Sequence, residues 1–82
     1  MIVVDIFVPA LDKTYNFNLN EKVKINAVIT EITDMIEQKE KMSFMGDQSK
    51  LRLYNKANGK KLPMENSLSE CYIKSGKYLI LI

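Results

Sequence analysis

Between two alternating apolar stretches lies a single run with helical periodicity, "KINAVITEITDMIEQKEK". In it Ile25, Val28, Ile29, Ile32 and Ile36 recur at the spacing of one stripe of an amphipathic helix. Glu31, Asp34, Glu37 and Glu40 take the remaining surface, and Lys39 and Lys41 suit the negative end of the helix dipole, so the helix is expected to end near Lys41. No second run of this length has the same period. Every strand in the chain must therefore find cover for its apolar face against this one helix.

The strands are read from alternation. In residues 2–8, Ile2, Val4, Ile6 and Val8 share one face and Val3, Asp5 and Phe7 the other. "PALDK" is a turn, and "TYNFNL" then places Tyr15, Phe17 and Leu19 inward with Asn16 and Asn18 outward. After the helix, "MSFMGDQSK" reads as a loop, with Gly46 suited to a positive φ. "LRLYN" alternates again, with Leu51 and Leu53 inward and Arg52 and Tyr54 outward. Asn58-Gly59 marks a tight hairpin, and the following "KL" before Pro63 can form only a short strand. Ser67 followed by Glu70 has the capping-box spacing, predicting a turn or two of helix over "SLSECY" before the closing strand "YLILI".

At 82 residues the chain is one domain, 1–82, and buries only about 60–65% of the surface it would expose unfolded. The expected solution is α+β: a mixed sheet of four to five strands packed on one long helix, with a short helix before the last strand. That last strand has two apolar faces and belongs in the middle of the sheet, parallel to the first. This is the β-grasp arrangement.

Composition removes several chemistries. Twelve basic and ten acidic residues leave a net charge of +2, too balanced to argue for nucleic acid. Cys71 is the single cysteine and there is no histidine, so an intrachain disulfide and Cys/His metal spacing are both excluded. Nucleophilic catalysis by Cys71 would need a base or a thiolate-stabilising neighbour, and a packing role suits it better. Glu31, Asp34 and Glu37 read as a solvated helix face. Met35, Met42, Met45 and Met64 read as gap fillers around the helix end, or as an adaptable contact surface. No window approaches a membrane span, and "MIVVDIFVPA" lacks the basic start and cleavage site of a signal peptide, so a cytoplasmic protein is expected. No cofactor and no metal are expected.

"LRLYNKANGKKLPMENSLSECYIKSGKYLILI" resembles the second half of ubiquitin in its order of features. Leu68, Ser69, Glu70 and Ile73 match the Leu-Ser-acid…Ile element, and Leu79 and Leu81 match the inward leucines of its closing strand. Lys13-Thr14 and the helix stripe agree in the front half. Within that superfamily the chain is most similar to the YukD/EsaB type, small ubiquitin-like proteins of type VII (ESX-like) secretion systems. The resemblance implies a bacterial, non-enzymatic interaction module whose partner belongs to the secretion machinery. Ubiquitin and the sulfur-carrier proteins act through a flexible Gly-Gly tail that threads into a partner enzyme. The sequence stops at Ile82 on the strand itself, so conjugation or thiocarboxylate chemistry is not expected.

The outward strand residues are the candidate site. Phe7, Arg52, Tyr54, Tyr78 and Ile80 are expected to share the open face of the sheet and bind a partner protein, and Tyr54, Tyr78 and Ile80 match the surface ubiquitin uses. Strand propensity alone would also place aromatic and β-branched residues there. The basic stretch "KLRLYNKANGKK" (Lys50, Arg52, Lys56, Lys60, Lys61) could meet an acidic partner or RNA, or serve as a solvated hairpin whose lysines discourage aggregation. A homodimer through a sheet edge or the apolar face is a further expectation.

Overall fold

The structure, a computed structural model, describes residues 1–43 and 48–82. The expectations for Met45 and Gly46 lie outside the described residues. Among the described residues are four strands and one α-helix, β1 (Ile2–Val8), β2 (Lys13–Leu19), α1 (Ile25–Glu40), β3 (Leu53–Asn55) and β4 (Tyr78–Leu81), with single 3-10 turns at Pro9–Leu11 and Gln48–Lys50. The sheet order is β2-β1-β4-β3. β1 runs antiparallel to β2 and parallel to β4, and β3 is antiparallel to β4. The closing strand thus lies between β1 and β3, as its two apolar faces require.

Alternation decides what each strand buries. Val4, Ile6 and Val8 of β1, Leu19 of β2, Leu53 of β3, and Leu79 and Leu81 of β4 are all at most 1% exposed. They face Ile25, Val28, Ile29, Ile32 and Ile36 of α1, the stripe read from the sequence. Leu62, Leu68 and Ile73 come from the irregular segment before β4 and complete the same core. Thr33 and Ser67 are the buried polar residues among those described, and Thr33 lies within the helix stripe. Thr33 is fully buried, and its hydroxyl donates to the Ile29 carbonyl at 2.6 Å, so its burial leaves no unmet donor.

The ends of α1 are finished by backbone, not side chains. Lys24 at the N-cap forms no side-chain cap. Instead the Ile25 and Asn26 amides donate to the Asn66 and Met64 carbonyls at 2.7 and 3.1 Å. Two of the four orphan amides of a helix start are met by a segment distant in sequence. At the far end Lys41 takes a left-handed φ of 54° and its amide closes onto the Glu37 carbonyl.

Two short elements differ from expectation. The second arm of the 55–61 hairpin is a single bridge, Lys61 to Tyr54, so the sheet has four strands. Pro63 has no amide to extend it. The 67–72 segment is a set of turns, not a helix. The capping box does form: Ser67 N–H donates to Glu70 Oε1 at 2.9 Å and Glu70 N–H to Ser67 Oγ at 3.1 Å. Tyr72 then adopts φ 59°, the Ile73 amide returns to the Leu68 carbonyl, and the chain leaves before a second turn can start. That early exit carries Ile73 into the core. The turn does fall at Asn58-Gly59, with Gly59 at φ +71°, but it is wider than a two-residue hairpin: Gly59 N–H donates to the Asn55 carbonyl and Asn55 N–H to the Lys60 carbonyl.

One polar network ties β2 to the end of α1. Glu40 Oε2 accepts from Tyr15 Oη at 2.6 Å and from Lys13 Nζ at 2.5 Å. Burial, then the hydrogen bond and charge of Glu40, push the Tyr15 hydroxyl up to about 12. The bonds from Lys13 and then Tyr15 hold the Glu40 carboxyl below its ordinary value. The Glu40 contribution is present above the ordinary carboxylate range and is lost as pH falls through the lowered value. For Tyr15 the unfolded chain releases its proton first, at about pH 10. Stability from this group is therefore whole below about pH 10 and declines as pH rises toward 12. Tyr15→Phe is expected to flatten that alkaline decline when urea midpoints are followed against pH. An unchanged decline would assign it to other groups.

Candidate functional site

The same pleat that sends Ile6 and Leu79 into the core sends their neighbours to the opposite face, which no helix among the described residues covers. Register then fixes which of those neighbours meet. Ile80 of β4 is paired with Phe7 of β1 on one side and Tyr54 of β3 on the other. Tyr54 is bridged in turn to Lys61. A row Phe7–Ile80–Tyr54–Lys61 thus crosses the sheet. Tyr78 lies two residues before Ile80 on the same face, paired with Asp5. Arg52 exchanges both backbone bonds with Ile82, at 2.8 and 3.0 Å, two residues beyond Ile80. The structure places all five sequence-predicted residues on one surface.

Their exposure is graded. Phe7, Arg52, Tyr54 and Ile80 are half-buried, and Tyr78 is 54% exposed. Ile82, 59% exposed, continues the Tyr78–Ile80 alternation and was not singled out from the sequence, although the period of two pointed to it. Val3, also exposed, stands at the far end of β1. Across β2 the face is polar, with Thr14, Asn16 and Asn18 outward. Asp5 beside them accepts from Asn16 Nδ2 at 3.0 Å. The apolar part is therefore confined to β1, β4 and β3.

The hairpin borders this apolar part with cations. Lys56 Nζ lies 5.6 Å from the Tyr78 ring centroid, within cation–π range. Lys50, Lys60 and Lys61 are exposed. The Arg52 guanidinium is spent locally, its Nη1 donating to the Ser49 and Leu51 carbonyls at 2.7 and 2.8 Å. A shallow depression beside Tyr78 is lined by Asn55, Lys56, Ala57, Gly76 and Lys77. Arrangements of this kind suit a partner with an apolar centre and an acidic border.

The other candidates sit elsewhere. Cys71 is half-buried against the core, and burial and then the Glu70 charge raise its thiol, opposed by a hydrogen bond from Asn66. A raised thiol is a poorer nucleophile at neutral pH. Glu31 and Asp34 are exposed on α1, and Glu37 Oε2 accepts from Gln48 Nε2 at 2.8 Å. Met35 and Met64 are half-buried against the core, and Met42 is half-buried at the helix end. Among the described residues no group of three or more carboxylate or thiol side chains is placed to hold a metal ion. No helix among them is long and apolar enough to cross a membrane.

No protein-family model matches the sequence, and no curated protein matches it. Solved structures do match in shape. The ubiquitin-like domain of EccD5 from Mycobacterium xenopi superposes with a TM-score of 0.77 at 19% identity, covering 99% of this chain and 91% of that one. The N-terminal ubiquitin-like domain of the 4931431F19Rik protein gives 0.75 at 20% identity, over 99% of this chain and 72% of that one. A ubiquitin-like domain from Arabidopsis thaliana gives 0.72 at 16% identity, over 99% and 74%. With the sheet order and the single long helix already described, these likenesses make the fold ubiquitin-like: α+β, one helix packed on a mixed four-stranded sheet.

Proposed function

We propose that this chain is a non-enzymatic docking module that binds a partner protein through the open face of its sheet. The partner surface has an apolar centre that covers Ile80, Tyr54, Tyr78 and Phe7, and acidic groups that meet the lysines of the 55–61 turn. The observation that carries this reading is the register. It lines Phe7, Ile80 and Tyr54 up on a face without a helix, beside a Tyr78 that is 54% exposed. Large apolar groups gathered on an uncovered face are a common mark of a partner site, and tyrosines are frequent anchors there.

The partner belongs, in this proposal, to a type VII (ESX-like) secretion system, with this chain as a cytoplasmic accessory component of the YukD/EsaB type. The likeness to the EccD5 ubiquitin-like domain supports that association. So does the resemblance of the chain as a whole to the small ubiquitin-like proteins of these systems, with a slightly extended loop between helix and strand.

The test is affinity capture from the native cell with the wild-type chain and a Tyr54→Ser/Ile80→Ser variant. Components of the secretion machinery are expected on the wild type. The variant is expected to weaken their retention by roughly 30-fold or more, the consequence of losing two anchors worth about 2 kcal/mol. Its circular dichroism spectrum is expected to stay native, because both side chains face outward. Full retention by a folded variant would remove this face from the mechanism.

A further inference from the structure

β2 is an open edge. β1 directs the amides and carbonyls of its odd residues toward β4, as the Asp5 amide to the Lys77 carbonyl and the Gly76 amide to the Val3 carbonyl show. Its even residues therefore pair with Lys13, Tyr15, Phe17 and Leu19 of β2, in an unbroken register without a bulge. Thr14, Asn16 and Asn18 are left with their amides and carbonyls pointing away from the sheet. Among the described residues no backbone group pairs with them. The opposite edge differs, since β3 is covered by the 60–62 segment through Leu62 N–H to Leu53 O and Asn55 N–H to Lys60 O.

Free edges are commonly blunted by proline, a bulge or an outward charge. Residues 14–19 carry none of these. The charge at the start of the strand, Lys13, is turned onto Glu40. The outward side chains Thr14, Asn16 and Asn18 are neutral, so a second identical strand would meet no like charge.

The groove under this edge is polarised. It is lined by Tyr15–Asn18 of β2 and by Met35, Ile36 and Lys39 of α1. Lys39 Nζ lies 5.5 Å from the Tyr15 ring centroid. Four residues of helix rise about 6 Å and two of strand about 6.8 Å, so the levels match as the elements run in opposite directions. Lys39 is level with Tyr15 and Met35 lies in the groove with Phe17. Glu31, exposed two turns of helix before Lys39, continues the same line beyond the groove, so along α1 the order is base, apolar, acid. A two-fold axis at the level of Phe17 would bring each Lys39 toward Glu31 of the second copy, with Met35 facing Met35 at the centre.

We propose that β2 pairs antiparallel with β2 of a second copy of this chain, Asn16 opposite Asn18, joining the two sheets into one. The pairing uses the groups the fold leaves unmet, and the charge pattern is complementary to itself only in this orientation. It leaves the face bearing Tyr54 and Ile80 uncovered in both copies, and stands or falls independently of what that face binds.

The test is sedimentation equilibrium of the full chain from micromolar to about millimolar concentration, with amide exchange at both extremes. A concentration-dependent dimer is expected, with the Thr14, Asn16 and Asn18 amides slowing as it forms. Asn18→Pro removes an outward amide that makes no bond to β1, and is expected to weaken association at least tenfold. A second variant guards against misfolding by the first. Lys39→Glu is expected to weaken the dimer several-fold, and Glu31→Lys in the same chain to restore it. A monomer throughout with unprotected edge amides overturns the proposal. So does a dimer indifferent to these changes, or an edge protected only when a different protein is added.

Discussion

Leu79→Ala is expected to lower stability by about 2–5 kcal/mol, while Ile80→Ser, one residue on, costs about 1 kcal/mol. Leu79 is fully buried in a central strand, paired with Ile6 on one side and Asn55 on the other. Truncation there leaves a cavity between sheet and helix, and the elements on both sides of β4 limit its collapse. Ile80 points to the open face, where replacement removes area already half in water. Urea denaturation of the two variants checks the contrast. The Leu79 variant should also melt roughly 10 °C or more below the wild type. Equal losses at the two positions would mean that β4 does not divide its faces as described.

The second large effect is expected from Ile32→Asp. Ile32 is fully buried at the centre of the α1 stripe, and among the described residues no cation is part of the core around it. An unpaired buried carboxylate costs several kcal/mol. A domain of this length has roughly 5–10 kcal/mol in all. The variant is therefore expected to be largely unfolded at neutral pH, seen as lost amide dispersion in a heteronuclear NMR spectrum. Burial would raise the pKa of the new carboxyl above its unfolded value, so its penalty is smallest below that value and grows as pH rises. Ile32→Asn, with similar volume and no charge, serves as the reference. The gap between Asp and Asn should narrow on acidification, and a folded Asp variant at pH 7 would contradict the packing of α1.

Most of this architecture was legible because two periods, 3.6 and 2, cannot be confused over runs this long. The α1 stripe from Ile25 to Ile36 and the alternations of β1 and β2 appear in the structure at the positions read. The place of β4 followed from its two apolar faces. What failed were short elements, whose form depends on distant partners more than on local propensity. The capping box at Ser67 and Glu70 formed, yet φ 59° at Tyr72 ended the turn, because Ile73 had to reach the core. The start of α1 offered no capping side chain, since the carbonyls that serve it come from Met64 and Asn66. The open face was legible residue by residue from alternation. The row Phe7–Ile80–Tyr54–Lys61 was not, because it depends on strand register, which local periodicity does not supply. The placement of Lys56 over Tyr78 depends on the same register.

The parallel pairing of β1 with β4 also has a mechanical side. Asp5–Tyr78, Ile6–Leu79 and Phe7–Ile80 are neighbours although they come from opposite ends of the chain. A force drawing the start of β1 and the end of β4 apart would slide these strands past each other along their length. Every bond between them would be loaded at once, instead of opening in turn as at a hairpin. The domain can therefore bear tension applied between the start of β1 and the end of β4 while the open face of its sheet stays assembled.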